Sequence, residues 1–286
     1  MSSFKPMTPE WQQWCRDNLA RGCDEATLIA AMVQAGIEPV TAGIAVLQAM
    51  NQPTQASTGN AANPAAYEYT AARFPQVGSR IQTHDREVKI SFRLLEPVVT
   101  VVDDFMSMAE CEQLVEMSRA KLQRSTIVDP STGAHQHIAE RTSSGTFFAL
   151  NEDAFIARLD RRIADLMHWP IENGEGLQIL NYLVGGEYKS HFDYFPPSDP
   201  GCAMHIAKGG QRVSTLIIYL NDVPAGGETT FPSVGLSVVP KKGSAVYFEY
   251  CNAHGQLDER TLHGGLPVLA GEKWIATKWM RQRKYA

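Results

Sequence analysis

The spacing of apolar residues differs between the two ends of the chain. Over residues 9–50, apolar positions recur every three or four residues, which is the period of a helix with one buried side. Beyond about residue 75, short stretches rich in β-branched and aromatic residues are separated by Gly-containing turns, and this pattern predicts strands. Residues 51–66, NQPTQASTGNAANPAA, have the composition of a linker. We therefore predict a small helical N-terminal domain over residues 1–50, a linker over 51–74 and a larger domain over 75–286.

The N-terminal region predicts three helices around a small core. Trp11 and Trp14 lie on the first helix. Asp24 can serve as the N-cap of the second helix, and Gly36 is placed to end it. Pro39 suits the first turn of the third helix. The apolar positions expected to close the core are Leu28, Ile29, Met32 and Val33 of the second helix and Val40, Ile44 and Leu47 of the third.

The larger domain is predicted to be mostly β with flanking helices. Ser107 can cap a helix that runs to about Leu122, and Asn151 can cap another over residues 152–167. Many short strands with close turns favour a sandwich or jelly roll over an alternating β-α-β sheet. The predicted strands cover residues 95–105, 177–183, 189–195, 213–221, 228–231, 236–240, 244–250 and 274–280.

Composition narrows the classes of partner and compartment. The formal net charge is −5, which argues against a nucleic-acid partner because such proteins carry a basic surface for phosphates. No segment approaches the ~20 apolar residues of a membrane-spanning helix, so we expect no membrane partner. The five cysteines are scattered and form no C-x-x-C pair, which is typical of free thiols in a reducing compartment. We therefore expect a cytoplasmic protein.

The candidate chemistry begins with His191-Phe192-Asp193. On an extended strand, a histidine and a carboxylate two positions apart point to the same face. His263 could supply a third ligand from a distant strand. Two imidazoles and one carboxylate on one side of a metal are the arrangement of non-haem Fe(II) oxygenases. Lys273 follows His263 by ten residues and would offer a cation to an anionic co-substrate.

Other interpretations of these residues compete with a metal site. His254, in a stretch containing Gly, Asn and Asp, is a rival third ligand. His135 and His137 could together chelate a metal, although their polar surroundings favour a surface loop. By composition alone, Lys273 also fits a solvated lysine in the turn after Gly271.

Several segments around these residues form an ordered series. The segment YLVGGEYKSHFDYF begins at Tyr182 and contains the histidine–aspartate pair. It is followed by GGQRV (209–213), GGET (226–229), LDERTLHGGLPV (257–268) and GEKWIATKW (271–279), and it is preceded by RTSSG (141–145). The series resembles the metal-binding strands and the mobile substrate loop of the prolyl 4-hydroxylases, a family of Fe(II)- and 2-oxoglutarate-dependent dioxygenases. The resemblance covers about residues 95–283 and implies a double-stranded β-helix, or jelly roll, as the catalytic domain.

The resemblance implies a role for each candidate residue. His191, Asp193 and His263 would hold Fe(2+), with dioxygen and 2-oxoglutarate filling the remaining positions. The residues implied for 2-oxoglutarate are Lys273, whose cation would pair with the far carboxylate, and the hydrogen-bonding Thr229 and Tyr182.

Three further residues match family positions near the substrate, where an aromatic wall suits a proline ring. They are Tyr188, Arg212 and Trp279. From the residues alone, Tyr188 and Trp279 also fit the core of a barrel, and Arg212 also fits a partner of an acidic side chain. The resemblance implies hydroxylation of proline at C4 within a peptide or protein, with release of succinate and carbon dioxide and with ascorbate as reductant.

Two departures from the family limit what the resemblance implies. Leu266 stands where secreted and plant relatives often have cysteine, which fits a reducing compartment. We also find no counterpart of the separate peptide-binding domain of the animal collagen enzymes, so a collagen-like substrate is not implied. Two alternatives stay open: a hydroxylase of another side chain or of a free metabolite, and a non-catalytic binding or sensing protein recruited by the helical domain. The oligomeric state also stays open.

Overall fold

The computed structural model describes Lys5 and residues 7–20, 24–50, 67–70, 72–125, 127–128, 135–136 and 142–285. Contacts divide the chain into two compact units. The smaller unit is built on Met1–Ala65, and the larger unit is built on Ala66–Phe231 and Leu236–Ala286. Within the described residues, no helix has the length and the apolar character needed to cross a membrane.

The described part of the smaller unit contains three helices, α1 (Pro9–Ala20), α2 (Glu25–Gln34) and α3 (Pro39–Met50). The Asp24 carboxylate accepts a hydrogen bond from the backbone N–H of Thr27 at 3.0 Å, as expected of an N-cap. Gly36 follows α2 with a φ of +96°, a conformation that favours glycine. The buried apolar residues of this unit are Cys15, Leu28, Met32, Ile37, Ala42, Ala45, Val46 and Ala49.

The side of the third helix that was predicted to face the core is exposed, so this prediction is wrong. Val40, Ile44 and Leu47 are 65%, 51% and 46% exposed, and Val33 of α2 is 38% exposed. Apolar residues lie on both sides of α3, so the helical period does not select one of them. The side that is buried carries mainly alanine, whose small side chain allows helices to approach closely.

The larger unit is mostly β. Its helices are α4 (Met108–Arg119), α5 (Ala154–Met167) and α6 (Ala203–Ala207). Its strands are β1 (Arg80–Gln82), β2 (Glu87–Leu94), β3 (Val99–Asp103), β4 (Gln123–Arg124), β5 (Ile127–Val128), β6 (His135–Gln136), β7 (Ser144–Phe148), β8 (Leu177–Tyr182), β9 (Tyr188–His191), β10 (Arg212–Tyr219), β11 (Ala225–Gly226), β12 (Thr229–Phe231), β13 (Leu236–Val238), β14 (Ala245–Glu249), β15 (His263–Gly265), β16 (Val268–Ala270) and β17 (Lys273–Arg281).

The strands form two principal antiparallel sheets. Among the described residues, the main sheet has nine strands in the order β1-β2-β3-β14-β10-β17-β8-β7-β4. The small sheet has four strands in the order β13-β12-β15-β9. This arrangement is consistent with a jelly roll, as the many short strands predict.

Helix α5 packs its apolar side in the main core. Ile156, Leu159 and Ile163 of this helix are buried in one cluster with Leu177 and Ile179 of β8. Burial of each such side chain contributes about 1.5–3 kcal/mol. Because side chains alternate across a strand, the intervening residues of β8 point to the other face of the main sheet. That face is available for a cavity.

The start of α4 is predicted correctly, and the start of α5 is not. Ser107 and Glu110 form a reciprocal capping box at α4. At α5 the cap is Asp153, whose carboxylate accepts from two backbone N–H groups. Asn151 lies before the helix with a φ of +55°, and its own N–H donates to Asp160 at 2.8 Å. Its left-handed backbone differs from the extended backbone of an N-cap residue.

Candidate metal centre and co-substrate pocket

The two histidines of the candidate metal site face each other across the small sheet. His191 ends β9 and His263 begins β15, and these two residues are register partners. Asp193 follows two residues after the end of β9. The strand predicted to continue to residue 195 therefore ends earlier, and strand alternation does not position this carboxylate. The side chain still reaches the site: Oδ1 lies 3.5 Å from Nε2 of His191, and Oδ2 lies 3.5 Å from Nε2 of His263.

Backbone carbonyls fix the orientation of both imidazoles. Nδ1 of His191 lies 2.8 Å from the carbonyl of Lys189, and Nδ1 of His263 lies 3.0 Å from the carbonyl of Thr261. Because a carbonyl only accepts, each Nδ1 carries the proton and each Nε2 is left with a free lone pair. The three residues offer ligand atoms that all lie within 4.8 Å of one another. Two neutral imidazoles and one carboxylate fit Fe(II) as a donor set.

Burial and charge keep these groups in the forms that bind a metal. Burial lowers the pKa of His263 to about 4, which keeps the imidazole neutral near pH 7. Burial alone would raise the pKa of Asp193. The attraction of the carboxylate to the rings of His263 and His191 in their protonated form outweighs burial, so the pKa of the carboxyl lies well below its usual range and the group is ionised.

Sequence reasoning missed the residues that hold Asp193. The hydroxyl of Thr215 donates to Oδ2 of Asp193 at 2.7 Å, and the hydroxyl of Tyr250 lies 3.1 Å from Thr215 Oγ1. Arg212 Nη1 donates to the backbone carbonyl of Asp193 at 3.3 Å. Thr215 shares a strand face with Ile217, which lines the cavity, and this alternation is the signal that could have identified it.

A cavity of about 880 Å³ is lined by every candidate residue named for metal, co-substrate and substrate. Alternate residues of β17 run along its wall. They are Lys273, Ile275, Thr277, Trp279 and Arg281. The intervening residues Trp274, Ala276 and Met280 belong to the main core. The cavity therefore has a lysine end at Lys273 and an arginine end at Arg281, whose register partner Arg212 on β10 also lines the cavity.

The lysine end contains a buried cation. Lys273 is 3% exposed, and within the described part of the chain no carboxylate lies within 4 Å of its Nζ. Burial lowers the pKa of Lys273 to about 8. Its register partner is Tyr182, and its Nζ lies 5.7 Å from the centre of that ring. Thr229 is buried and accepts a hydrogen bond from Tyr219, a residue that sequence reasoning missed, at 2.8 Å.

At the arginine end, one carboxylate, that of Glu175, pairs with both Arg212 and Arg281. Arg212 Nε and Nη2 donate to the two carboxylate oxygens of Glu175 at 2.6 and 2.9 Å. The guanidinium lies 3.9 Å from the centre of the Trp279 ring. The indole Nε1 of Trp279 is buried without an acceptor among the described residues. Tyr188 stacks on the ring of His191, with centroids 3.7 Å apart. Arg212 thus has the acidic partner that its alternative interpretation requires, and it also lines the cavity.

The rival histidines do not join this site. His254 is exposed, and its Nε2 lies 3.7 Å from a carboxylate oxygen of Glu68. It is therefore not the third ligand of the group described above. His135 lies in β6. His137 and Arg141 lie outside the described residues.

Comparison with known proteins agrees with this chemistry. A model of the 2OG-Fe(II) oxygenase superfamily matches residues 177–281. Prolyl 4-hydroxylase 1 of Arabidopsis thaliana is 43% identical over 202 residues, covering 65% of this chain and 70% of the relative. Prolyl 4-hydroxylase 5 of the same plant is 38% identical over 209 residues, covering 66% of this chain and 70% of the relative.

A more distant relative and a solved structure extend the comparison. The α-1 subunit of mouse prolyl 4-hydroxylase is 38% identical over 188 residues, covering 66% of this chain but 35% of that subunit. The crystal structure of a viral collagen prolyl hydroxylase from Paramecium bursaria Chlorella virus-1, in complex with 2-oxoglutarate, aligns with a TM-score of 0.51 at 29% identity, covering 64% of this chain and 95% of the viral chain. The chain therefore belongs to the prolyl 4-hydroxylase family of Fe(II)- and 2-oxoglutarate-dependent dioxygenases.

Proposed function

We propose that this enzyme hydroxylates C4 of a proline residue within a peptide or protein and couples this step to the oxidative decarboxylation of 2-oxoglutarate. The observation that carries the proposal is the single cavity that joins a metal-binding triad, an unneutralised lysine and an aromatic wall. The products are hydroxyproline, succinate and carbon dioxide, and one oxygen atom of dioxygen enters each organic product.

At the centre of the cavity, His191, Asp193 and His263 would hold Fe(II) and leave three coordination positions. The remaining positions would be available to 2-oxoglutarate and dioxygen. When bound, the iron supplies the oxidative chemistry, and the protein supplies position and exclusion of water. The carbonyls behind His191 and His263 support the proposal because they orient Nε2 toward the shared ligand position.

At the lysine end, Lys273 would bind the far carboxylate of 2-oxoglutarate. A buried cation with no carboxylate beside it gains most from an anionic ligand, since a charge-assisted hydrogen bond is stronger inside a closed pocket. Thr229 and Tyr182 line the same part of the cavity and would add hydrogen bonds to that carboxylate.

Trp279, beside Arg212, and Tyr188, which stacks on His191, would form the wall for the proline ring. Glu175 already engages Arg212 through both carboxylate oxygens and Arg281 through one, so the guanidinium of Arg212 is not left as an unpaired cation for the substrate. An imide ring and its flanking peptide bonds suit such a wall. The indole N–H of Trp279 has no acceptor among the described residues and could donate to a substrate carbonyl. An alternating aromatic and hydrogen-bonding wall suits a peptide that contains proline.

The direct test measures succinate release with Fe(II), 2-oxoglutarate and a panel of proline-containing peptides, together with the mass of each peptide. We expect a gain of one oxygen atom on peptides that contain proline and none on matched peptides with alanine in its place. A parallel series with free proline and other free amino acids tests the metabolite alternative. Succinate release without oxidation of any peptide would contradict the assignment to peptidyl proline.

We further propose the organisation and setting that the sequence predicts. Residues 1–50 would form a separate helical domain joined by the linker over 51–74, and the enzyme would work in the cytoplasm with ascorbate as reductant. The three helices with their own buried core support the first point. Cys111 and Cys202 are buried and form no disulfide within the described residues, which fits a reducing compartment. Proteolysis within the linker, cell fractionation, and turnover with and without ascorbate test the three points in turn.

A further inference from the structure

We propose that Thr215 and Tyr250 form a hydrogen-bond relay that positions Asp193 as a metal ligand. The inference rests on the proposed metal centre and deepens it by naming what holds its carboxylate in place. Thr215 and Tyr250 are both fully buried, and neither was assigned a role by sequence. They act through Asp193, so they are positioning residues.

The direction of the relay follows from the available protons. The Asp193 carboxylate accepts only, so the 2.7 Å contact is a hydrogen bond donated by the Thr215 hydroxyl. A hydroxyl has a single proton, and that of Thr215 lies in the hydrogen bond to the Asp193 carboxylate. The 3.1 Å contact between Thr215 Oγ1 and the Tyr250 hydroxyl therefore has Tyr250 as donor. The order is Tyr250 to Thr215 to Asp193, and each donor polarises the next.

Asp193 needs such support because no strand holds it. His191 and His263 are fixed by the pairing of β9 with β15, whereas Asp193 lies two residues beyond β9. Its backbone carbonyl accepts from Arg212, and its Oδ2 accepts from Thr215. With Oδ2 held, Oδ1 stays turned toward Nε2 of His191, at 3.5 Å. The relay thus fixes the carboxylate plane at the position that the metal requires.

The relay is anchored in the main sheet. Thr215 lies in the middle of β10, and the backbone N–H of Tyr250 donates to the carbonyl of Val213 in the same strand at 3.0 Å. The backbone that carries each of the two hydroxyl groups is therefore held in place by the main sheet. Ser214, the neighbour of Thr215, is equally buried but points to the opposite face, which makes it a matched control.

The experiment measures the dissociation constant of Mn(II), a stable stand-in for Fe(II), from the full chain without co-substrate. The variants are Thr215→Val, Thr215→Ser, Tyr250→Phe, Thr215→Val with Tyr250→Phe, and Ser214→Ala. Thermal unfolding of each metal-free variant identifies temperatures at which all of them are folded. This readout does not depend on turnover.

We expect Thr215→Val to weaken Mn(II) binding about 10- to 100-fold, the usual effect of removing a group that orients a metal ligand. Thr215→Ser retains the hydroxyl and should bind close to wild type. Tyr250→Phe should weaken binding by a smaller factor. The double variant should match Thr215→Val, because Tyr250 acts only through Thr215. Ser214→Ala should bind as wild type does.

Three results would overturn the relay: wild-type affinity in Thr215→Val, an equal loss in Ser214→Ala, or a double variant that loses more than Thr215→Val alone. Because Tyr250→Phe retains its ring, it still tests the relay if Thr215→Val fails to fold, and an unchanged affinity there would also count against it. Failure of the metal centre itself looks different. In that case wild type would not bind Mn(II), and His191→Ala would change nothing.

Discussion

Lys273 and Arg212 are buried cations toward opposite ends of one cavity, and their surroundings differ. Lys273 has no carboxylate within 4 Å of its Nζ in the described part of the chain. Arg212 is held by both oxygens of Glu175 and lies over the ring of Trp279. Both side chains line the same wall. One cation is left for a ligand, and the other is already used by the protein.

The protonation equilibria of the two cations follow this difference. Burial lowers the pKa of Lys273 to about 8, because nearby charge does little to offset the loss of water. Burial alone would also lower the pKa of Arg212, but Glu175 outweighs it and holds that pKa above its usual range. A buried charge without a partner is costly to the fold. Its presence at Lys273 therefore indicates a place for an anion, whereas Arg212 supports the shape of the substrate end.

The largest expected effect, on stability, comes from removing the acidic partner at the arginine end, so that neither end of the cavity has a carboxylate beside its cation. Glu175→Gln removes the negative charge that pairs with Arg212 and with Arg281, whose Nε lies 2.8 Å from a Glu175 oxygen, and it replaces one acceptor oxygen by a donor. Loss of one partner of a buried ion pair costs about 3–5 kcal/mol, so the free energy of unfolding measured in urea should fall by that amount. Glu172→Gln, at an exposed neighbouring position, should change it by less than about 0.5 kcal/mol. Equal stabilities of the two variants would refute the difference between the ends.

Removing the unpaired cation should abolish most of the affinity for co-substrate. Lys273→Met keeps the length of the side chain and removes its charge. The KM for 2-oxoglutarate should rise on the order of 100-fold, because a carboxylate would then be buried without a partner. Mn(II) affinity, measured without co-substrate, should stay unchanged. Lys273→Ala should behave similarly, and a much smaller effect in Lys273→Met would show that the charge is not what binds.

A smaller effect should follow from pH. Lys273 is charged below its pKa of about 8 and neutral above it, so the fraction of enzyme able to bind the anion falls as pH rises through that value. The apparent dissociation constant for 2-oxoglutarate should therefore rise about tenfold for each pH unit above 8. Binding measured between pH 7 and 10 in the presence of Mn(II) checks this. Lys273→Met should be flat over the same range, and a parallel rise in that variant would assign the effect to another group.

The smallest expected effect is at the arginine end of the cavity, where Trp279 lies over Arg212. Trp279→Phe keeps an aromatic ring over Arg212 and removes the unpartnered indole N–H. If that N–H donates to the substrate, the KM for peptide should rise about 2- to 10-fold, as for one hydrogen bond, with no change in the KM for 2-oxoglutarate. Trp274→Phe is the matched control, because Trp274 lies on the same strand but in the main core. If the two substitutions changed the KM for peptide equally, Trp279 would have no specific part in substrate binding.

The sequence predicts residues whose chemistry is carried by local motifs. His191, His263 and Lys273 lie in segments where residue type and order are informative without any fold. Thr215, Glu175 and Tyr219 were missed because an ordinary strand residue becomes part of the site only when its distant partner is known. Glu175, for example, lies 37 positions from Arg212. Such pairs depend on strand register, which one sequence does not reveal.

The errors in the predicted fold also have physical causes. The sequence predicts a strand through Asp193, but β9 ends at His191, since apolar and aromatic character continues where pairing does not. In α3 the exposed and the buried side are both apolar, so periodicity selected Val40 and Ile44, which are exposed. In α5, by contrast, Ile156, Leu159 and Ile163 recur at helical spacing and are all buried.

Strand β17 has a consequence for how such an enzyme can vary. Its alternate residues set the distance from the anion-binding end to the aromatic wall, in steps of roughly 6.5 Å for each pair of residues. The spacing of residues along this strand therefore sets the combined length of co-substrate and substrate. Substitution can change the side chain at any of these positions. Insertion of a single residue would turn its cavity side toward the core, so new specificities are reachable by changing side chains and not by changing the length of this strand.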